Sequence, residues 1–100
     1  MTANSKNPIV RERINHLEGI INTAHLKGLF QRFPKRFKTA PNVKEELEYH
    51  CEQLTVLNVP LETQAKALEY VKTIDQQTVW EALYKRSFLD IATEILEGGA

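Results

Sequence analysis

The sequence predicts an all-α protein, a compact bundle or orthogonal array of four to five helices with no sheet. Three observations predict it. Apolar residues recur at spacings of three and four along nearly the whole chain, which aligns them on one side of a helix, and the every-second-residue pattern of a half-buried strand is not found. Prolines and capping residues fall between the periodic stretches rather than inside them. Finally, the stripes are short, so the helices must bury them against one another to be stable in water.

Residues 1–6 read as a flexible N-terminus and residues 7–97 as a single helical domain. Asn7 is placed to cap a first helix, and Pro8 suits its first turn, where a missing amide donor costs nothing. Val10, Ile14, Leu17, Ile21 and Ala24 then follow at spacings of four, three, four and three. Gly19 and Gly28 weaken this helix by up to about 1 kcal/mol each relative to alanine, which predicts a weak point near Asn22 and Thr23. The helix must end around Phe33, since Pro34 disfavours helical geometry in the residue before it.

"NVKE" at residues 42–45 predicts a second start, with Asn42 as cap and Glu45 reaching back toward the first amides. Val43, Leu47, His50, Cys51, Leu54 and Leu57 line one side of that helix. Asn58 and the Val59–Pro60 pair interrupt it. A third helix begins at Pro60 or Leu61 and is expected to turn Ala65, Leu68 and Val71 inward, with Ala67, Tyr70 and Ile74 close by. Asp75 then caps a long fourth helix with the stripe Val79, Trp80, Leu83, Phe88, Ile91 and Ile95, and "EGG" at 97–99 ends it.

One hundred residues make one domain, and 42% hydrophobic with 26% charged residues is an ordinary globular composition. No apolar run approaches the roughly 20 residues that cross a bilayer, so no membrane partner is expected. "MTANSKNPIV" lacks the apolar core of a secretion signal. A single cysteine, Cys51, rules out an internal disulfide and a four-cysteine metal site. The expectation is a reducing, cytoplasmic setting.

Residues that carry chemistry are sparse. Ser5 and Ser87 lie in no glycine-rich elbow, and there is no phosphate-binding glycine loop. His50 and Cys51 are adjacent, so on a helix they point about 100° apart and make no nucleophile–base pair; Cys51 reads as a core residue. His16 and His50 each follow a glutamate by four positions, Glu12 and Glu46, as ordinary helix-surface pairs. None of His16, His25 and His50 has the acidic residue three positions earlier that a helical di-metal site uses. Glu45, Glu46, Glu48 and Glu52 form one charged run rather than two carboxylates in contrasting surroundings. The reading is no enzyme, no cofactor and no metal.

Net charge is zero, yet the halves differ sharply. Residues 1–44 carry nine Lys and Arg against two acids, a net of +7, and residues 45–100 carry four against eleven, a net of −7. Such asymmetry suits a basic face for a polyanion, or two halves that attract each other on folding. The basic half peaks at "FQRFPKRFKT", residues 30–39, where three phenylalanines alternate with four cations. Cations neutralise phosphates and aromatic faces stack on unpaired bases, so Arg11, Arg13, Lys27, Arg32, Phe33, Lys35, Arg36, Phe37 and Lys38 are the candidate nucleic-acid-binding residues, with His25 extending the patch. The competing reading packs Phe30 and Phe33 beside Leu26 and Leu29, plugs the first helix junction with Phe37, and leaves the cations as a solvated rim.

"LFQRFPKRFKTAPNVKEEL", residues 29–47, resembles the opening segment of the RNA-binding FinO/ProQ family, in which a short aromatic–proline–basic turn precedes a helix; the resemblance does not extend over the rest of the chain. "KTIDQQTVWEALYK", residues 72–85, resembles the turn and recognition helix of helix-turn-helix proteins, with Ile74 at the turn, Asp75 as cap, and Val79 and Leu83 inward. It departs from that pattern at Glu69, Thr73, Trp80 and Glu81, and an ordinary capped helix accounts for it better. The expected function is therefore a small non-catalytic binding or regulatory protein that contacts the backbone of RNA or DNA. The alternative is a protein-interaction module, an adaptor, inhibitor or assembly subunit, whose basic and acidic poles meet a protein partner or a second copy in a homo-oligomer.

Overall fold

The computed structural model describes residues 8–73 and 86–98. The N-terminal segment, the cap expected at Asp75, the stripe through Val79, Trp80 and Leu83, and most of the helix-turn-helix-like stretch lie outside the described residues. The protein is all-α. Its described elements are α1 (Pro8–Arg32), a 3-10 turn (Pro34–Arg36), α2 (Val43–Val56), α3 (Leu61–Thr73) and α4 (Phe88–Gly98), with no strand among the described residues. No described helix is long and apolar enough to cross a membrane.

The organising element is α1. Its 25 residues rise about 1.5 Å each, close to 37 Å in all, which nearly matches the 43 Å long axis of the molecule. The three other described helices all pack on it. Its buried positions, Leu17, Ile20, Ile21, Thr23, Ala24, His25 and Gly28, sweep roughly 200° of its circumference at about 100° per residue. One stripe would cover half of that. The apolar residues read as a single line from Val10 to Ala24 thus resolve into a spine buried on more than one side, with Val10 and Ile14 only half-buried near its open end.

No break occurs at Asn22–Thr23. The Thr23 hydroxyl is buried and donates to the Gly19 carbonyl at 2.8 Å, so the polar group is satisfied within the helix. Burial of the surrounding isoleucines outweighs the propensity cost of two glycines. Termination comes where proline demands it: the Phe33 amide makes the last helical bond, to Leu29 O at 2.7 Å, and Pro34 opens the 3-10 turn.

α2 begins at Val43 as expected, but the side chain of Asn42 makes no capping bond. Its carbonyl accepts from Glu46 N at 3.1 Å, while Glu45 and Glu46 place negative charge at the positive end of the helix. The α2–α3 junction is closed by the left-handed residue Asn58, φ 62°. Val59 N donates to Leu54 O at 2.9 Å and Asn58 N to Thr55 O at 3.0 Å, the paired bonds of a Schellman motif, and buried Val59 and Leu54 supply its apolar contact.

Two readings of the later helices change. The inner face of α3 is Thr63, Gln64, Ala67 and Val71, and Ala65 is exposed. Gln64 turns inward because its amide donates to Val59 O at 3.0 Å and to Thr55 Oγ1 at 3.1 Å, stitching the junction. The end of the expected long fourth helix also differs: Arg86 and Ser87 are not helical, and α4 begins at Phe88. Ser87 Oγ accepts from Asp90 N at 3.1 Å and caps α4. Ile91, Ala92 and Ile95 carry α4 into the core.

Candidate nucleic-acid interface

The candidate site is the ten-residue connection between α1 and α2, built around the 3-10 turn. Phe33 precedes Pro34 in a non-helical conformation (φ −134°, ψ 60°), and Arg36 N and Phe37 N close the turn on Phe33 O and Pro34 O at 3.1 and 3.2 Å. The three phenylalanines separate here. Phe30 and Phe37 are half-buried on each other, ring centroids 5.5 Å apart and edge to face. Phe33 stays 43% exposed, with the Arg36 guanidinium over its ring at 4.9 Å. Arg32, Phe33, Pro34, Lys35 and Arg36 line a shallow depression of about 390 Å³, with no carboxylate among the described residues that line it.

The nine predicted residues divide by what their side chains do. Arg13 Nε donates to Leu57 O at 2.9 Å and so covers the last carbonyls of α2. Lys27 Nζ reaches Val71 O at 3.4 Å in the last turn of α3. Both cations serve helix C-termini, where carbonyls and the helix dipole favour positive charge. Arg32 Nη1 donates to Gly28 O at 3.1 Å in the last turn of its own helix. Arg11 is exposed, but it lies 21 positions before Arg32 on α1, roughly 30 Å along the axis. The fold therefore brings together Arg32, Phe33, Lys35, Arg36, Phe37 and Lys38, and leaves Arg11, Arg13 and Lys27 elsewhere.

Lys35, Arg36 and Lys38 are exposed. Among the described residues, no ion pair ties them or Arg11 and Arg13 to a carboxylate; the pairs seen are Glu46 with His50 and Glu94 with Arg86. His25 does not extend the patch. It is 7% exposed, its ring lies 4.6 Å from Phe88, and burial lowers its pKa, so it is neutral at pH 7. Its Nε2 is buried without a hydrogen-bond partner.

A second cluster, not foreseen from the sequence, sits where α1 crosses α2. His16 Nδ1 and His50 Nδ1 are 2.9 Å apart, and His50 Nε2 lies 3.5 Å from Glu46 Oε2. Tyr49 packs edge-on against both rings. The His50 ring rests on the backbone of Gly19 so closely that a Cβ there would collide with it. Burial depresses the His50 pKa, the neighbouring His16 lowers it further, and Glu46 pulls the other way. Helical spacing links Glu46 to His50, but nothing in the sequence pairs His16 with a residue 34 positions away. Among the described residues, no group of three or more His, Cys, Asp or Glu is arranged to hold a metal ion. Cys51, beside this cluster, packs against the core, and burial raises its thiol pKa.

No protein-family model, curated protein or solved structure matches this chain.

Proposed function

We propose that this protein acts without catalysis by binding single-stranded RNA or DNA at the 33–38 turn. Phosphates would lie on Lys35, Arg36 and Lys38, and one base would stack on Phe33. A single observation carries the reading: a half-exposed phenylalanine held under an arginine, beside two lysines, with no carboxylate among the described residues paired to Lys35, Arg36 or Lys38. Burying an aromatic ring here would have been the cheaper use of it, worth about 1.5–3 kcal/mol. A convex turn with one open ring suits an unpaired strand, whose bases are free to stack, better than a duplex groove, which takes a helix or ribbon.

Fluorescence anisotropy with short labelled oligo(U) and oligo(dT) tests this. Three phosphate contacts give a slope of log affinity against log salt of roughly −2. Joint Lys35→Glu, Arg36→Glu and Lys38→Glu substitution is expected to abolish binding, and Phe33→Ala to weaken it by roughly 5- to 150-fold, the equivalent of about 1–3 kcal/mol. Absence of binding at low salt would sink the reading.

The interaction-module reading rests on a different observation. Val56 and Leu61 are 73% and 76% exposed on either side of the Asn58 turn. On α2, Glu45, Glu48, Tyr49, Glu52 and Val56 fall on one solvent-facing side. An acidic strip with apolar anchors suits a basic protein partner or the basic turn of a second copy. Sedimentation of the protein alone, with Val56→Ser and Leu61→Ser as comparison, tests the second-copy form.

A further inference from the structure

We propose that the His16–His50 pair is an acid-sensitive latch that holds α2 against α1 at neutral pH and releases it as pH falls. Two Nδ1 atoms 2.9 Å apart share one hydrogen, so one ring donates and the other accepts. With His50 Nε2–H directed at Glu46, His50 Nδ1 is the acceptor and His16 Nδ1–H the donor. Adding one proton, on His16 Nε2, leaves the contact intact. Adding the second sets two N–H groups head to head and two like charges side by side. The contact therefore tolerates one imidazolium and excludes two.

Other groups around the pair do not relieve this. From α2 come Glu46, 3.5 Å from His50 Nε2, and Tyr49, edge-on to both rings. From α1, one turn away, come Glu12, which is exposed, and Arg13, which is fixed on Leu57 O. Glu46 favours the first proton, and no described group other than Glu46 offsets the second. Gly19 keeps the His50 ring from retreating toward α1. Both imidazoles bind protons near pH 6.5 when unfolded or separated, whereas the closed pair takes its second proton only at lower pH. The open state thus holds more protons below about pH 6.5, and the latch, fully closed above that value, weakens as pH falls.

Release has a local readout. Cys51 follows His50 on α2, is half-buried, and is the chain's single cysteine. Pro41 and Asn42 line the same cleft, about 330 Å³, as Gly19, Glu46 and His50, so opening this seam also loosens the segment that carries the 33–38 turn. The latch stands whether or not that turn binds nucleic acid.

The test is the rate at which 4,4′-dithiodipyridine, which reacts with thiols in acid, modifies Cys51 in the full chain, normalised to glutathione at each pH. Between pH 7.5 and 5 the normalised rate is expected to rise about tenfold as the seam opens. His16→Asn, which keeps a neutral donor but cannot titrate, should flatten that rise. His25→Leu, on the α4 side of α1, should leave it in place. Proton NMR of the wild-type imidazole C2 resonances gives an independent reading: the two rings should titrate as a coupled pair, with the second step displaced downward. A pH-independent Cys51 rate, a rise that persists in His16→Asn, a rise abolished by His25→Leu, or independent titration of the two rings would each overturn the latch.

Discussion

Residues 17–28 of α1 and residues 33–38 of the following turn are separated by four positions, and the chain uses the same residue types oppositely in them. In the first, apolar side chains disappear completely, as Leu17, Ile20 and Ile21 show, and the flanking cations Arg13 and Lys27 are drawn onto the carbonyl ends of α2 and α3. In the second, an aromatic ring faces solvent and Lys35, Arg36 and Lys38 meet no carboxylate among the described residues. The difference teaches that positive charge near one end of a sequence is not one resource. Part of it closes the helices, and only the remainder is available to a ligand.

The sharpest way to break this contrast is truncation on each side of it. Ile20→Ala is expected to cost about 2–5 kcal/mol in denaturant unfolding, because the side chain is fully buried in the core. Phe33→Ala should leave stability within about 0.5 kcal/mol. An equal loss at both positions would make the turn part of the core and remove it as an interface.

Next in size is Gly19→Ala. Helix propensity favours it by up to about 1 kcal/mol, but the added Cβ meets the His50 ring, and overpacking costs typically 1–3 kcal/mol. The net expectation is a loss in the wild type and a gain in a His50→Ala background; loss of similar size in both would show that the ring is not what the methyl strikes. His25→Leu should be close to neutral at pH 7, since it removes a buried imidazole nitrogen without a partner. With the His25 pKa lowered in the fold, its neutral form contributes stability above about pH 6.5 that is lost below it. The variant should therefore unfold at higher temperature than wild type at pH 5. Smallest of all, Arg13→Gln should cost about 1 kcal/mol and Lys35→Gln almost nothing, a difference readable in paired urea curves.

Much of this architecture was legible because it depends on local chemistry. Pro34 and the Asn58–Pro60 run mark ends that the backbone cannot evade, and the starts at Pro8, Val43 and Leu61 follow. What was not legible depends on which faces meet. Polar Gln64 and Thr63 are outside the apolar stripe expected for the third helix, yet both are buried, and Gln64 serves the α2–α3 junction. His25 read as part of a basic patch because a lone imidazole carries no sequence mark of burial. The turn around Phe33 was visible as composition, but its division into one open ring and two half-buried ones is set by tertiary packing. The His16–His50 contact joins positions on separate helices that no periodicity connects.

A hub helix also constrains the order in which the chain can fold. The α2–α3 junction is closed by short-range bonds and can form early, but Leu17, Ile20 and Ile21 belong to the one core cluster that residues of all the other described helices join. A folding nucleus without the middle of α1 lacks the helix on which the others pack, and so has few long-range apolar contacts to offset loop closure. Substitutions there should slow refolding, and those at the α4 cap, Ser87, should chiefly hasten unfolding.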